Sequence, residues 1–522
     1  MIVLAIPPGW TLHPGGSHIA LPLLQGYLEQ RGIETRLYDL NIGSATLHGA
    51  TITENAVQEA CERLSPSYMN KVYFDVEDKL GEIAKSFGGK WFAHEGYQHL
   101  GCDLGNPESV RLHSHLPSPF TRYFRDQIIP EVLRLNPTII GLSLYVPSQL
   151  LPTFEFVRLL RAAGYEGFVA LGGNMISRIA KDMKLDWVFD LVDGLTTYQG
   201  ERALEEIYRS IERDEDLDGI PNLTWRNAAG EIVDNKIDLL KPNQFAPPKF
   251  SGLPHGEYWG AKYFTMIGAR GCFYGKCSFC AIPFGWGPGN YIGMSAGSVV
   301  VNAMNEAYRA FGVRRFKFVD EALHPRMLRE MDAVRSDYAA DFVFEGYVRL
   351  DPTWTSGDFL QLCRRVGLRK AYLGLELVPS DTRDVLNKSD RGDPLQILQR
   401  MNDVGIKTHV FCLFGYPGTG IDEALTTTEF ALKHSGYIDT LDIFPFYFAR
   451  HTKVDGIRIV EEDARTWRTE HKYEPSAPGV LWPDEVEHLA ERMNTIMWKE
   501  HPHWSHPIYR MYSPWYDVAA RV

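Results

Sequence analysis

The chain carries few cysteines, no surplus of positive charge and no long apolar run. Seven cysteines in 522 residues are too few for a disulfide-built scaffold. A formal net charge of −12 excludes a general nucleic-acid binder, because neutralising phosphates takes clustered Lys and Arg. No stretch reaches the roughly 18 uninterrupted apolar residues of a membrane span. The opening MIVLAIPPGW has neither the basic start nor the long apolar core of a secretion signal. The expectation is a cytoplasmic protein that meets neither membrane nor nucleic acid. No Gly-x-Gly-x-x-Gly follows the first apolar run, whose exit is Pro7-Pro8-Gly9-Trp10, so a dinucleotide fingerprint is missing as well.

With 44% hydrophobic and 23% charged residues, the chain can build a core in each of two or three domains. Residues 1–217 alternate apolar runs with amphipathic stretches. Met1–Ile6, Glu34–Tyr38, Thr138–Leu144, Phe168–Leu171 and Trp187–Val192 read as strands. His18–Arg31 reads as a helix, with Ile19, Leu23 and Tyr27 on one stripe and Gly32 as its C-cap. This beat predicts an α/β fold built on a Rossmann-like, doubly wound parallel sheet. An insertion at about 43–130, rich in His, Ser, Tyr and Glu, is either a wall of the active site or a helical cover. Residues 218–258 resemble a linker with a small hairpin at Leu223–Trp225 and Ile232–Val233.

The beat resumes over 259–450. Strands are expected at Tyr263–Gly268, Phe316–Val319, Phe342–Tyr347, Ala371–Gly374, Lys407–Phe414 and Thr440–Phe446. A helix opening near Ser295 puts Val300, Met304, Ala307 and Phe311 on one face. Six such units predict a partial (β/α)6 TIM-type barrel, with chemistry at the C-terminal ends of its strands. Residues 451–522 are expected to be a helical, aromatic-rich C-terminal region.

Three of the cysteines lie within nine residues, in Cys272-Phe-Tyr-Gly-Lys-Cys277-Ser-Phe-Cys280, directly after the first expected barrel strand. Such clustering indicates a metal and not a staple. Three thiolates from one loop can hold three corners of a [4Fe–4S] cubane and leave one iron without a protein ligand. That open position separates a reactive metal site from a closed structural one. A structural zinc ion wants four ligands, and no second Cys-x-x-Cys or His-x3-His follows at a suitable distance.

This loop resembles the cluster motif of the radical-SAM superfamily, Cys-x3-Cys-x2-Cys with an aromatic residue before the last cysteine. Phe279 fills the aromatic position, and the first gap is one residue longer here. Four more segments are similar to that family, in order and at strand ends: Phe318-Val-Asp320-Glu321, Tyr347-Val-Arg349, Gly374-Leu-Glu376 and Phe414-Gly415-Tyr-Pro417-Gly418. Singly, an acidic residue after a strand serves as a helix cap and Pro-Gly as an ordinary turn. Their order carries the resemblance. It implies S-adenosylmethionine contacts at Asp320, Glu321, Arg349, Gly374, Glu376, Gly415 and Pro417. It further implies that an external donor such as flavodoxin or ferredoxin supplies an electron, and that the 5′-deoxyadenosyl radical so formed abstracts hydrogen.

The first 200 residues resemble the cobalamin-binding domain attached to a large radical-SAM subgroup. The matching positions are Pro8 after the first strand, Ser143 in Gly141-Leu-Ser143, Gly172 and Gly173 after the fourth strand, and Gly200 and Glu201 in Tyr198-Gln-Gly-Glu. Glycines there let the backbone approach a ligand beyond the carboxyl edge of the sheet. The Asp-x-His-x-x-Gly through which many B12 proteins ligate cobalt is missing, as is common in this subgroup. The resemblance implies a cobalamin-dependent radical-SAM methyltransferase acting on an unactivated carbon of a peptide or small natural-product substrate. A non-methylating rearrangement, cyclisation or oxidation, or a domain that has lost cobalamin, are its alternatives. Tyr447 and Arg450, just after the sixth strand, are placed to meet substrate. His501, His503, Trp504, His506, Tyr509 and Tyr512 make up an aromatic tail that either closes the site or packs at the surface.

Overall fold

The computed structural model describes residues 1–9, 18–63, 66–92, 95–259, 263–288, 291–379, 382–388, 392–460 and 465–504. His506, Tyr509 and Tyr512 lie outside them.

The first sheet grows from short, wholly apolar runs. Ile2–Ile6 and Ile139–Ser143 are buried at every residue, as strands covered on both faces must be. Alternate side chains divide between two cores: Val3 and Ala5 point to one, Ile2, Leu4 and Ile6 to the other. In space the order is Thr35–Asp39, Ile2–Ile6, Ile139–Ser143, Phe168–Gly172, Gly194–Thr196, Leu223–Arg226 and Ile232–Asp234. The first five run parallel and the last two antiparallel. Chain order reverses at Ile2–Ile6, which pairs with the second strand on one side and the third on the other. Such a switch point opens a crevice beyond the carboxyl ends of the strands.

Two expectations change here. Trp187–Val192 is no strand: Asp186–Phe189 is a short helix, and the fifth strand is Gly194–Thr196. Six residues, five of them apolar, are too few for periodicity to separate strand from helix. The hairpin at Leu223–Arg226 and Ile232–Asp234 does not stand alone in a linker. It extends the first sheet, with Trp225 paired to Gly194. The 43–130 insertion is mainly helical, including Glu54–Arg63, Pro66–Ser86 and Pro107–His113, around a small ribbon of Gly89–Phe92 and Gly96–His99.

The second sheet has six parallel strands in chain order: Phe264–Met266, Arg315–Phe318, Val343–Val348, Leu368–Glu376, Lys407–Phe414 and Thr440–Pro445. Helix Gly297–Phe311 buries Val300, Met304 and Ala307 against it. The C-terminal region is mixed, with a ribbon of Ile457–Ile459 and Tyr473–Pro475 before helix Pro483–Glu500. His501 stacks on Trp504 at 4.2 Å, and Trp504 is buried in the second core. Among the described residues no helix is long and apolar enough to cross a membrane.

Trp467 ties this C-terminal region to the first domain. Its ring stacks on Phe154 at 5.5 Å, packs on Trp187 at 5.6 Å and donates its indole N–H to the Asp182 carbonyl at 3.2 Å. Trp467→Ala should therefore lower stability by about 3–5 kcal/mol, read as an earlier urea transition by circular dichroism. A loss below about 1 kcal/mol would mean that the strap does not hold the first domain.

Candidate active site at the facing sheet edges

The cysteine loop leaves strand Ala269–Gly271, and four neighbours fix its path. Asp320, wholly buried, accepts backbone N–H groups of Gly268 and Ala269 on its two oxygens, at 2.9 and 2.6 Å. It sits behind the loop as a positioning residue, and both oxygens are already engaged. Burial pushes its carboxyl up to about 7 against the pull of those amides. From the far side, Tyr274 donates to the Asn387 carbonyl at 2.6 Å and Asn387 donates to the Lys276 carbonyl at 2.7 Å. The Ser278 N–H donates to Leu386 at 3.1 Å, and the Tyr416 hydroxyl donates to Ser278 Oγ at 2.7 Å.

All three loop cysteines are half-buried and outside any disulfide. Burial, with the charges of Cys277, Glu321 and Cys272 nearby, pushes the Cys280 thiol up to about 12. Such a thiol ionises only if a cation pays for it. Among the described residues no three His, Cys, Asp or Glu side chains converge tightly enough for a single metal ion. A cubane spreads its thiolates over three irons, a wider set. The donor chemistry therefore fits a cluster, and nothing here closes a fourth protein ligand around one ion.

The other expected contacts fall around this loop. Phe279 lies edge-on to Tyr416 at 6.5 Å, inside the Gly415–Pro417 turn, and the Arg349 guanidinium covers Tyr274 at 4.1 Å. Gly415 has φ +77°, and a Cβ there would meet Val486 at 2.6 Å. Glu376, itself at φ +57°, pairs with Lys388 at 2.9 Å, and the same ammonium donates to the Gly374 carbonyl. A Cβ on Gly374 would strike both side chains, at 2.6 and 2.7 Å. Lys388 went unnoticed in the sequence because no motif marks it. Glu321, its carboxyl raised by burial, accepts the Trp286 indole N–H at 2.9 Å.

Opposite the loop, a cavity of about 280 Å³ lies on the carboxyl edge of the first sheet. Ser143, Gly172, Gly173, Gly200 and Glu201 line it together with Trp286 from the second domain. Pro8 is buried but is not among its walls. A Cβ at Gly200 would meet nothing nearer than 3.5 Å, so packing does not demand glycine there; its bareness keeps the cavity open. Gly173 differs: at φ +97° its Cβ would lie 2.2 Å from the Leu144 carbonyl oxygen. His18, which no motif announced, also lines the cavity, stacked on Tyr145 at 4.6 Å and kept neutral by burial with its pKa lowered to about 4.

Glu201 does more than line the cavity. Its carboxylate pairs with Arg270 at 2.6 Å, both side chains only 5% exposed. Arg270 lies two residues before Cys272 and also covers the Phe245 ring at 4.3 Å. Arg450, expected to meet substrate, instead pairs with Asp182 at 2.8 Å and donates to the Thr466 carbonyl at 3.0 Å. It fastens the C-terminal strap. Tyr447 remains exposed, near Glu470 and Glu95. A second cavity, of about 650 Å³, is walled by Glu95, Arg178 and Glu470 and shares Tyr145 with the first.

No family model matches the sequence, and no curated protein matches it. Solved structures do. The radical S-adenosylmethionine methyltransferase TsrM from Kitasatospora setae, with cobalamin and a [4Fe-4S] cluster bound, aligns at TM-score 0.57 and 15% identity, over 94% of this chain and 84% of that one. TsrM with tryptophan substrate and a SAM analogue aligns at 0.58. The cobalamin-dependent S-adenosylmethionine radical enzyme OxsB aligns at 0.56 and 14% identity, over 82% of this chain and 51% of that one. The chain has the α/β fold of these enzymes.

Two outcomes follow from the site's charges. Arg270→Met strands Glu201 in the interior and should cost about 3–5 kcal/mol, whereas converting both partners to apolar residues should restore most of it. Equal urea midpoints for all three proteins would disprove the coupling. The Asp320 proton is held up to about pH 7 in the folded chain but is lost near 3.8 when unfolded. Its contribution therefore favours the fold fully below pH 3.8 and fades as pH rises to about 7. Asp320→Asn should flatten that part of the thermal-midpoint profile; an unchanged slope would assign it to other groups.

Proposed function

We propose that the chain is a cobalamin-dependent radical-SAM methyltransferase in which a doubly wound cobalamin domain faces a partial (β/α)6 barrel. One observation carries the reading: three half-buried thiols outside any disulfide sit on one strand-end loop that begins two residues after Arg270, which pairs with Glu201 on a glycine-edged cavity. Cys272, Cys277 and Cys280 would hold a [4Fe–4S] cluster. Arg349, Gly374, Glu376, Gly415 and Pro417 would line the S-adenosylmethionine site, with Glu321 between it and the first cavity. Ser143, Gly172, Gly173 and Gly200 would hold cobalamin. When bound, these groups supply a carbon radical and a methyl carrier.

The residues present do the rest. The Tyr274–Asn387 and Ser278–Leu386 contacts keep the loop in one geometry. Lys388 neutralises Glu376, so a ligand there meets a balanced pair. The Trp286–Glu321 contact covers the wall between loop and cavity and limits water. Flavodoxin or ferredoxin would supply electrons, in a reducing cytoplasm. The tryptophan bound in TsrM favours a small-molecule substrate over a large peptide. Tyr447, exposed just after the sixth strand of the second sheet, would face it.

Anaerobic reconstitution with iron, sulfide and hydroxocobalamin tests the reading. The expected result is about four irons per chain and cobalt in equal amount to protein. The Cys272, Cys277 and Cys280 triple-alanine variant should lose iron and keep cobalt, and Gly200→Phe the reverse. S-adenosylhomocysteine formed alongside 5′-deoxyadenosine would mark methyl transfer. Iron without cobalt removes the methyl carrier, and neither metal sinks the proposal.

A further inference from the structure

The larger cavity is built from three places distant in sequence: the 95–105 stretch of the insertion, the Tyr145–Ser148 turn after the third strand, and the 467–472 strap. Helix Asn174–Ile179 adds Arg178. No residue of the cysteine loop lines it, so it is distinct from the region where S-adenosylmethionine would meet the cluster. At about 650 Å³ it falls within the range of small-molecule sites, about 300–1,000 Å³.

Its charged lining residues are Glu95, Asp103, Arg178, Arg468, Glu470 and Lys472. Asp103 and Arg468 are paired at 2.7 Å and satisfy one another. Arg178 and Glu470 are different: each feels the other's charge, yet no ion pair joins them. Arg178 donates from Nη2 to the Thr469 carbonyl at 2.8 Å, while its buried Nε has no partner. Ser148 Oγ, also buried and lining the cavity, has none either. Two buried donors without acceptors therefore belong to residues that line the cavity. Glu470 and Glu95 line the same cavity, and burial raises the Glu470 carboxyl, Arg178 opposing and the Glu95 charge adding to it.

We infer that this cavity is an α-amino-acid site: Arg178 Nε and Ser148 Oγ take the carboxylate, and Glu470 with Glu95 takes the ammonium. A simple anion would face two carboxylates, and a simple cation would leave the guanidinium N–H and the hydroxyl unmatched. A zwitterion answers both, because it brings an acceptor and a cation on adjacent atoms. The remaining volume takes a bulky side chain, with Tyr145 and Trp467 as apolar walls. Tyr145 also lines the smaller cavity, so a side chain directed that way would lie beside the site given to cobalamin. This assignment rests on the methyltransferase reading for its purpose but not for its binding chemistry.

The probe is the set of twenty proteinogenic L-amino acids, screened against the reconstituted chain by saturation-transfer NMR. The best binder is then compared by calorimetry with its amide, which lacks the anion, and its N-acetyl derivative, which lacks the cation. Loss of either charge should weaken binding at least tenfold. Arg178→Gln should abolish the advantage of the free acid over the amide, and Glu470→Gln its advantage over the N-acetyl form. Glu470 lies on an exposed wall, so its variant should fold even if Arg178→Gln does not. No amino acid binding to a sample whose iron and cobalt are in place would overturn this inference and spare the methyltransferase reading. Equal affinity for all three derivatives would overturn it too. Charge-dependent binding to a chain that loads neither metal would uphold it while the methyltransferase reading falls.

Discussion

The Glu201–Arg270 ion pair joins the two halves of the molecule. One partner opens a helix at the carboxyl edge of the first sheet, and the other lies two residues before Cys272. Taking two charges out of water is costly, and apolar replacements of similar shape are often as stable. What a buried pair does supply is a single register. With both side chains 5% exposed, sliding one sheet edge past the other would leave a bare charge in the interior. The pair thereby sets how the cysteine loop faces the glycine-edged cavity. The two centres of the proposed function would need such a stop, because small displacements weaken reactions that depend on proximity.

Much of the fold was legible because its strands are covered on both faces. Runs such as Ile2–Ile6 and Lys407–Phe414 are apolar enough, and spaced regularly enough, to announce a parallel sheet. The misreading at Trp187–Val192 shows where that signal ends. Val188 and Phe189 are buried, as a strand's residues would be, but in a single helical turn. The hairpin at Leu223–Arg226 was found, but its membership of the first sheet depends on long-range pairing with Gly194, which no local pattern encodes.

The site was legible in a different measure. Cysteine clustering and strand-end glycines expose chemistry directly, and Gly172, Gly173 and Gly200 do lie on the cavity. Charged residues were harder, since a sequence states that a carboxylate is present and not which donor has already engaged it. Asp320 turns inward to two backbone amides, Glu376 meets Lys388, and Arg450 meets Asp182. Each was a reasonable candidate contact by position. In the fold each has become part of the frame that holds other residues still.

That distinction bears on how such a site can be dry and yet selective. The proposed radical reaction demands that water and stray hydrogen donors be kept away, which argues for pairing the charges within the frame. Recognition of a polar substrate demands the opposite, that some donors and acceptors wait unmatched. The two demands are met by separating them in space. Charges beside the cysteine loop close upon one another, as Lys388 does with Glu376 and Trp286 with Glu321. Unmatched polar atoms gather one cavity away, at Arg178 and Ser148, behind Tyr145. In the proposed function, a substrate anchored there by its charged end extends an uncharged portion toward the smaller cavity without carrying water with it.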